Sequence, residues 1–390
     1  MWRDWSLSAT VAGFVAVLVG FTSSVVIVFQ AAAALGATPA VTTSWIWALG
    51  IGMAVTSIGL SLRYRQPVLT AWSTPGAALL VSAGAGVDMA HAVGAFVACA
   101  LLIVAAGVSG AFERLMNRIP QPLAAALLAG VLARFAIDAF VQLGGDFALV
   151  FPMLLAYLAG RRWWPRWAVP GVLALGVAIA AAQGRLAWAA LGGVDWALAL
   201  PVFTMPAFSL AALVGVALPL FVVTMASQNL PGVAAQRAAG YATPVSPVIT
   251  ATGVATLLLA PFGGYALNLA AITAAICMGR EAHEDPARRY WAAVMAGVFY
   301  LVLGLLGGAV VGLIAAFPPA LVLAVAGFAL LGTIGSALAV ALTDEGSREA
   351  ALITFLVTAS GLVLWGVGAA FWGVVAGALA LAVQHWRARR

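Results

Sequence analysis

Long apolar runs separated by short polar turns dominate this chain. The intervals 5–62, 66–87, 196–236, 238–279, 290–343 and 350–386 contain no Asp, Glu, Lys or Arg, and each is long enough for one or two bilayer crossings of ~20 residues. Read in order, the runs predict fourteen segments, at 7–35, 40–62, 66–86, 88–110, 119–142, 146–160, 167–182, 207–230, 244–260, 262–279, 288–314, 318–342, 348–365 and 367–385. The third and tenth break the pattern. In 66–86, the part Pro67-Val-Leu-Thr-Ala-Trp72 is short, bounded by Pro and β-prone, while Ser73-Thr74-Pro75-Gly76 places hydroxyl N-caps before a helix-starting Pro. The helix that follows spans about a dozen residues, roughly half a crossing. This reads as an extended segment leading into a half-helix that opens inside the bilayer, where non-helical backbone survives only if protein or a water-filled cavity covers it. Pro261-Phe-Gly-Gly-Tyr-Ala-Leu-Asn-Leu-Ala270 and the helix predicted over 271–278 repeat the pattern.

Composition sharpens the class. Of 390 residues, 64% are hydrophobic and 8% charged, against ~25% charged in a soluble domain, so this is an all-α polytopic membrane protein without room for a soluble domain. The formal charge of +6 raises nucleic acid as a partner, but every basic residue is Arg and most lie in clusters between apolar runs, which is a topology signal. With the N-terminus in the cytoplasm, Arg63, Arg65, Arg114, Arg118, Arg161, Arg162, Arg166, Arg237, Arg280, Arg288, Arg289, Arg348 and the tail from Arg387 share one side. Arg185 falls outside, and Arg134 falls within a span. One missed crossing would scatter the later clusters, so the asymmetry supports the count, with both termini in the cytoplasm. The first apolar run is too long for a signal h-region and reads as an uncleaved helix. Cys99 and Cys277 lie in apolar runs without metal-ligand spacing and read as buried thiols.

A shift of about 198 residues lays Thr22-Ser-Ser-Val-Val-Ile-Val-Phe-Gln30 over Leu220-Phe-Val-Val-Thr-Met-Ala-Ser-Gln228, and Pro120-Gln-Pro-Leu123 over Pro318-Pro-Ala-Leu321. The same shift brings the two broken segments together. Seven segments per half give halves of opposite orientation, the inverted-repeat signature of a transporter.

Met225-Ala-Ser-Gln-Asn-Leu-Pro-Gly232, Ala238-Ala-Gly-Tyr241 with Ser246-Pro247, Ala260-Pro-Phe-Gly-Gly264, Asn268-Leu-Ala-Ala-Ile-Thr-Ala-Ala-Ile-Cys277 and Glu281-Ala-His-Glu-Asp-Pro-Ala-Arg-Arg-Tyr290 resemble the bacterial benzoate/proton symporter family. The motifs span about 225–290, and the segment pattern is compatible over the whole chain. The resemblance implies the wider fold of the nucleobase–ascorbate and sulfate/bicarbonate transporters. That fold has fourteen segments in a 7+7 inverted repeat, with segments 3 and 10 each a short strand plus half-helix, divided into core and gate domains. On this chain the core becomes 1–112 and 207–315, and the gate 113–206 and 316–390. The function implied is import of benzoate or a similar small aromatic carboxylate by proton symport, with alternating access between core and gate.

Two facing half-helix N-termini present unpaired N–H groups and about half a positive charge each, which suits a carboxylate. Ser73, Thr74 and Gly76 on one half-helix, with Asn268, Leu269 and Ala270 on the other, are the candidates for the anion end. Trp72, Tyr265, Phe21 and Phe29 are candidates for a flat apolar slot, with packing or interface anchoring as the alternative. Gln228 and Asn229, in the middle of segment 8, need partners in lipid and are expected to face inward, either onto the site or into helix–helix hydrogen bonds. Pro231-Gly232 is expected to perturb the helix there.

In the proton-coupled nucleobase transporters segments 8 and 10 carry midplane carboxylates, whereas the matching positions here are Ser227 or Gln228 and Leu267. A neutral site suits an anion, since a fixed carboxylate would repel it. Coupling then falls to another group, to the protonated acid itself or to Na⁺. Arg134 and Asp138, four apart on segment 5, are the coupling candidates inside a span and equally a structural ion pair. Asp88 is a third candidate and also a natural N-cap. Glu281-Ala-His-Glu-Asp285 lacks HExxH spacing and reads as loop ion pairing with Arg288 and Arg289 rather than a metal site. No cofactor is implied, and no Ser/His, paired-Asp or metal constellation supports an enzyme. The partners expected are the substrate, a proton or Na⁺ and the lipid bilayer, with a homodimer left open. The alternative reading is a permease or channel for another small anion or a nucleobase, with Na⁺ coupling.

Overall fold

A computed structural model describes all residues except 1–3, 84–86, 165–166, 187–196, 308, 310–316, 363, 365–368 and 389–390. The end of the first broken stretch, Arg166, and parts of the predicted segments 11, 13 and 14 therefore lie outside the described residues. The first half contains α1 (Leu7–Ala34), α2 (Pro39–Tyr64), β1 (Thr70–Trp72), α3 (Thr74–Ala83), α4 (Met89–Val108), α5 (Ala111–Met116), α6 (Gln121–Gly145), α7 (Phe147–Trp163) and α8 (Ala168–Ala182). The second contains α9 (Leu210–Ala238), α10 (Val245–Leu259), β2 (Leu267–Leu269), α11 (Ile272–Met278), α12 (Tyr290–Leu305), α13 (Pro319–Leu342), α14 (Arg348–Ala359) and α15 (Ala369–Ala388). Among the described residues six helices are long and apolar enough to cross a membrane: α2, α4, α6, α9, α13, and α10 with its 3₁₀ extension to Phe262.

The helix starts follow from local chemistry. Ser6, Thr38, Asp88 and Ser209 accept N–H bonds from Ala9, Val41, His91 and Ala212, capping α1, α2, α4 and α9. Small residues let helices approach closely. A Cβ on Gly50 of α2 would lie 2.5 Å from the Gly304 Cα of α12, and one on Gly13 of α1 would lie 2.6 Å from the Ala292 carbonyl.

The predicted end of segment 8 at residue 230 is corrected by the structure, in which α9 runs on to Ala238. Pro lacks an N–H and crowds the carbonyl of the preceding turn. In α9 the turns before Pro219 and Pro231 widen into π-helix, Leu213–Ala217 and Met225–Asn229, and the helix continues past both.

Two groups of helices form. In one, α2 packs along α12, α4 along α10, and α1 along α12, α3 and α11. In the other, α6 packs along α13 and α14, α14 along α15, and α7 along α8. The last part of α9, Leu230–Ala238, lies against α6 and joins the groups. Within the first group β1 and β2 pair antiparallel, with Thr70 opposite Leu269, Ala71 opposite Asn268 and Trp72 opposite Leu267.

Candidate substrate site

A two-stranded ribbon buried in a helical bundle survives only if its outer backbone groups find partners. Neighbouring helices supply hydroxyls. From α2, Ser61 Oγ accepts the Val68 N–H at 3.1 Å and donates to the Val68 carbonyl at 3.0 Å, and Ser57 Oγ accepts the Thr70 N–H at 3.1 Å. Thr70 Oγ1 completes the cluster, 2.6 Å from Thr56 Oγ1 and 2.9 Å from Ser57 Oγ. On the other strand Thr256 of α10 accepts the Leu267 N–H at 3.0 Å, and Asn229 Oδ1 of α9 accepts the Leu269 N–H at 2.9 Å. Asn229 reaches this bond from the π-helical turn before Pro231. Gly232 brings α9 against β2, since a Cβ there would lie 2.5 Å from the Leu269 Cβ and 3.0 Å from its carbonyl oxygen. Ala266, at φ 36, turns the chain into β2 in a conformation that L side chains rarely adopt, and its carbonyl accepts from the Ser73 N–H at 3.1 Å.

Each strand runs into a short helix, and the two helix starts border one small cavity of about 70 Å³. Ser73 caps α3 by accepting the Gly76 N–H at 3.1 Å. The start of α11 has no side-chain cap, so its first-turn N–H groups lack intrahelical acceptors. The far end of α11 is closed by Arg289, which donates to the Met278 carbonyl at 2.9 Å and so favours the negative end of the helix dipole. Thr74, Gln228, Ala270, Thr273, Trp72 and Tyr300 are among the residues that line the cavity, with Ser24, Met53 and Ala71. Among the described residues, none that lines it is charged. Trp72 Nε1 donates to Ser24 Oγ at 3.1 Å, which fixes the indole edge-on to Phe21 at 4.7 Å; Phe21 lies 5.9 Å from the Tyr300 ring.

Of the candidates, Thr74, Gln228 and Ala270 therefore lie on the cavity, with Ser73 and Gly76 in the helix start beside it. Among the described residues the Gln228 amide has no hydrogen-bond partner, while Asn229 is buried and engaged with β2. Asn268 and Leu269 are buried in the strand, where Asn268 Nδ2 donates to the Ala266 carbonyl at 3.1 Å and its Oδ1 has no partner among the described residues. Tyr265 packs between Trp45 and Phe96, at 5.6 and 5.9 Å, away from the cavity, and Phe29 also lies off it. Among the cavity residues that the sequence reading did not single out are Ser24, Met53, Thr273 and Tyr300. Thr56, Ser57 and Ser61 on one stretch of the apolar α2 are a signal in the sequence that the reading above did not use.

The coupling candidates lie elsewhere. Arg134 and Asp138 are exposed on α6, and among the described residues no ion pair joins them. Asp88 caps α4, accepting the His91 backbone N–H at 2.9 Å, with the His91 ring Nδ1 2.8 Å from the same carboxyl oxygen. In the loop after α11, Asp285 pairs with Arg288 at 3.4 Å as expected. Glu281 does not: its partner is Arg161 of α7, while Arg289 is spent on backbone carbonyls. Cys99 and Cys277 are free and buried.

Glu113 of α5 accepts the Ser246 N–H at 3.0 Å and the Ser246 hydroxyl, so a carboxylate from another helix stands at the start of α10, where Pro244 has no side-chain cap to offer. The Ser246 hydroxyl is the main cause that holds this carboxyl below its usual range.

A family model described as "Benzoate membrane transport protein" matches residues 3–383. The chain is 50% identical over 379 residues to the inner membrane protein YdcO of Escherichia coli, covering 97% of this chain and 96% of that protein. It is 42% identical over 378 residues to the benzoate membrane transport protein of Acinetobacter baylyi, covering 97% of this chain and 95% of that protein. Among solved structures, the transmembrane domain of a cyanobacterium bicarbonate transporter BicA aligns with a TM-score of 0.44 and 13% identity over 98% of both chains. SLC26A9 aligns with a TM-score of 0.48 and 10% identity over 98% of this chain and 66% of that one.

Proposed function

Because the chain belongs to the benzoate membrane transport protein family, we propose that it imports benzoate or a similar small aromatic carboxylate across the bacterial inner membrane by proton symport. The observation that carries this reading is the meeting, in one uncharged cavity, of two helix starts, the Gln228 amide and the Trp72 and Tyr300 rings. A carboxylate there meets N–H groups and the positive ends of helix dipoles, with no fixed carboxylate to repel it. The aromatic ring of the substrate lies against Trp72 and Tyr300.

The cavity's volume of about 70 Å³ is far below the ~300 Å³ of a small open ligand pocket, so a wall must move for the substrate to enter. The moving parts in this reading are a core of 1–112 and 207–315 and a gate of 113–206 and 316–390, which correspond to the two packed helix groups. Fourteen segments in a 7+7 inverted repeat, with both termini cytoplasmic, complete it. Support for the repeat comes from the packing: segment 2 lies on segment 11 and segment 4 on segment 9, two pairs that a shift of seven segments exchanges. Without an acid on the cavity wall, the proton binds beyond it or rides on the substrate.

The test is uptake of labelled benzoate into proteoliposomes under imposed pH or Na⁺ gradients, against protein-free vesicles that report passive permeation. Accumulation above that background is expected with the pH gradient, with competition by unlabelled benzoate and not by uracil, sulfate or bicarbonate. Uptake equal to that of protein-free vesicles, or displaced by uracil, would contradict the reading.

A further inference from the structure

At the end of the bundle where the Arg clusters gather, a cleft of about 370 Å³ separates the two helix groups. Arg161, Gly332 and Ser336 line it from the second group, and Met278, Arg280 and Glu281 from the first. Met278 closes the far end of α11, whose start borders the cavity, so the cleft lies about 10 Å from the cavity along that helix. Across the cleft Arg161 Nη1 donates to Glu281 Oε1. Among the described residues this is the one ion pair that joins the two groups. The Glu281 side chain is 9% exposed and that of Arg161 36%. Arg161 stands 6.0 Å from the centroid of the Tyr157 ring, and Gly332 on α13 lies beside both ions, where an added Cβ would make only ordinary contacts with Arg161 Nη2 at 3.4 Å and Glu281 Oε1 at 3.5 Å.

We propose that Arg161–Glu281 is a latch that closes the substrate cavity toward the Arg-rich face and parts when the two helix groups separate. This rests on the transport reading above. Here only Glu281 is buried while Arg161 keeps part of its hydration; the carboxylate's lost hydration offsets much of the attraction, and a half-exposed partner adds little more, so the pair contributes little net stability while both partners are present. When the cleft opens, both ions regain water. That near-balance suits a contact that forms and breaks in each cycle better than one that holds the fold. Among the described residues no second cation pairs with the buried Glu281: Arg289 is occupied by the carbonyls of Met278, His283 and Glu284.

Ser336, exposed on the cleft wall, reports the opening. Ser336→Cys is labelled with an impermeant maleimide in inside-out vesicles, alone, with Glu281→Gln, and with the swap Arg161→Glu/Glu281→Arg. The unsubstituted protein, whose cysteines are buried, is the blank. Glu281→Gln is expected to raise the labelling rate about fivefold or more, the lower end of ordinary conformational couplings, and the swap to return it toward the starting rate. Unchanged labelling in Glu281→Gln overturns the latch. Should the swap fail to fold, Arg161→Cys/Glu281→Cys joined by a bifunctional thiol reagent is expected to stop benzoate counterflow until a cleavable linker is cut, and undiminished counterflow in the cross-linked protein overturns it. Benzoate binding to the unsubstituted purified protein is measured in parallel: its absence defeats the transport reading, whatever the labelling shows, while binding with latch-independent labelling defeats the latch alone.

Discussion

Replacing Asn229 by Leu removes a single hydrogen bond from the strand that positions the start of α11. Asn229 is fully buried, its Oδ1 accepts the Leu269 N–H at 2.9 Å, and its Nδ2 makes only a soft contact to Met225 Sδ at 3.2 Å. Leu keeps the branched outline of Asn but is bulkier, so some overpacking cost adds to that of the orphaned Leu269 N–H, which is about 1–3 kcal/mol. If β2 stays in place, the protein bears that cost as lost stability. If the strand turns away to relieve it, the start of α11 leaves the cavity and benzoate affinity falls by up to the same energy, roughly 5–150-fold. Melting of the purified protein in detergent and calorimetric titration with benzoate separate the two. Wild-type melting together with wild-type affinity would refute the reasoning, because the bond would then contribute nothing and β2 would be held by other means.

Gln228→Ala is expected to weaken benzoate binding by about 1–3 kcal/mol, the worth of a hydrogen bond to a charged acceptor, with melting unchanged; lowered melting with intact binding would make Gln228 a packing residue. Glu113→Gln tests the borrowed cap on α10. The folded carboxyl lies below its usual range, so its stabilisation is complete above the unfolded value of ~4.3 and is lost as pH falls through the lower folded value. The variant should melt below wild type at pH 7, and the gap should close in acid; a gap independent of pH would show that the charge does not matter. Topology is checked by thiol labelling: Gln183→Cys should react with an impermeant reagent from the periplasm, and Glu284→Cys only after permeabilisation. The reverse pattern at either residue would break the fourteen-segment arrangement.

The broken segments were legible because Pro67, Ser73, Pro75 and the paired Gly263-Gly264 are local signals, and an apolar background makes them stand out. Both short strands formed where those signals placed them. Positions that depend on tertiary geometry were less accessible. Tyr265 and Trp72 are both aromatic residues close to the broken segments, yet Trp72 borders the cavity and Tyr265 packs on the Trp45 side of the ribbon. That distinction is set by strand facing and by the Trp72 bond to Ser24, which spans most of α1 to β1 in sequence. The end of segment 8 was set at residue 230, before the Pro231-Gly232 pair expected to perturb the helix, whereas a π-turn accommodates Pro231 and the helix runs on. The partner of Glu281 escaped for a similar reason: Arg288 and Arg289 are near in sequence, while Arg161 comes from the other helix group.

The most direct test of the account is protection of the cavity by its substrate. Thr74→Cys puts a thiol on the cavity wall, beside the start of α3. Its modification by a small thiol reagent is followed in the purified protein with and without saturating benzoate, with sulfate as the control anion. Benzoate is expected to slow the reaction strongly and sulfate to leave it unchanged. If benzoate binds the variant and the thiol reacts at the same rate with or without it, the substrate lies elsewhere and the two half-helices do not form its site.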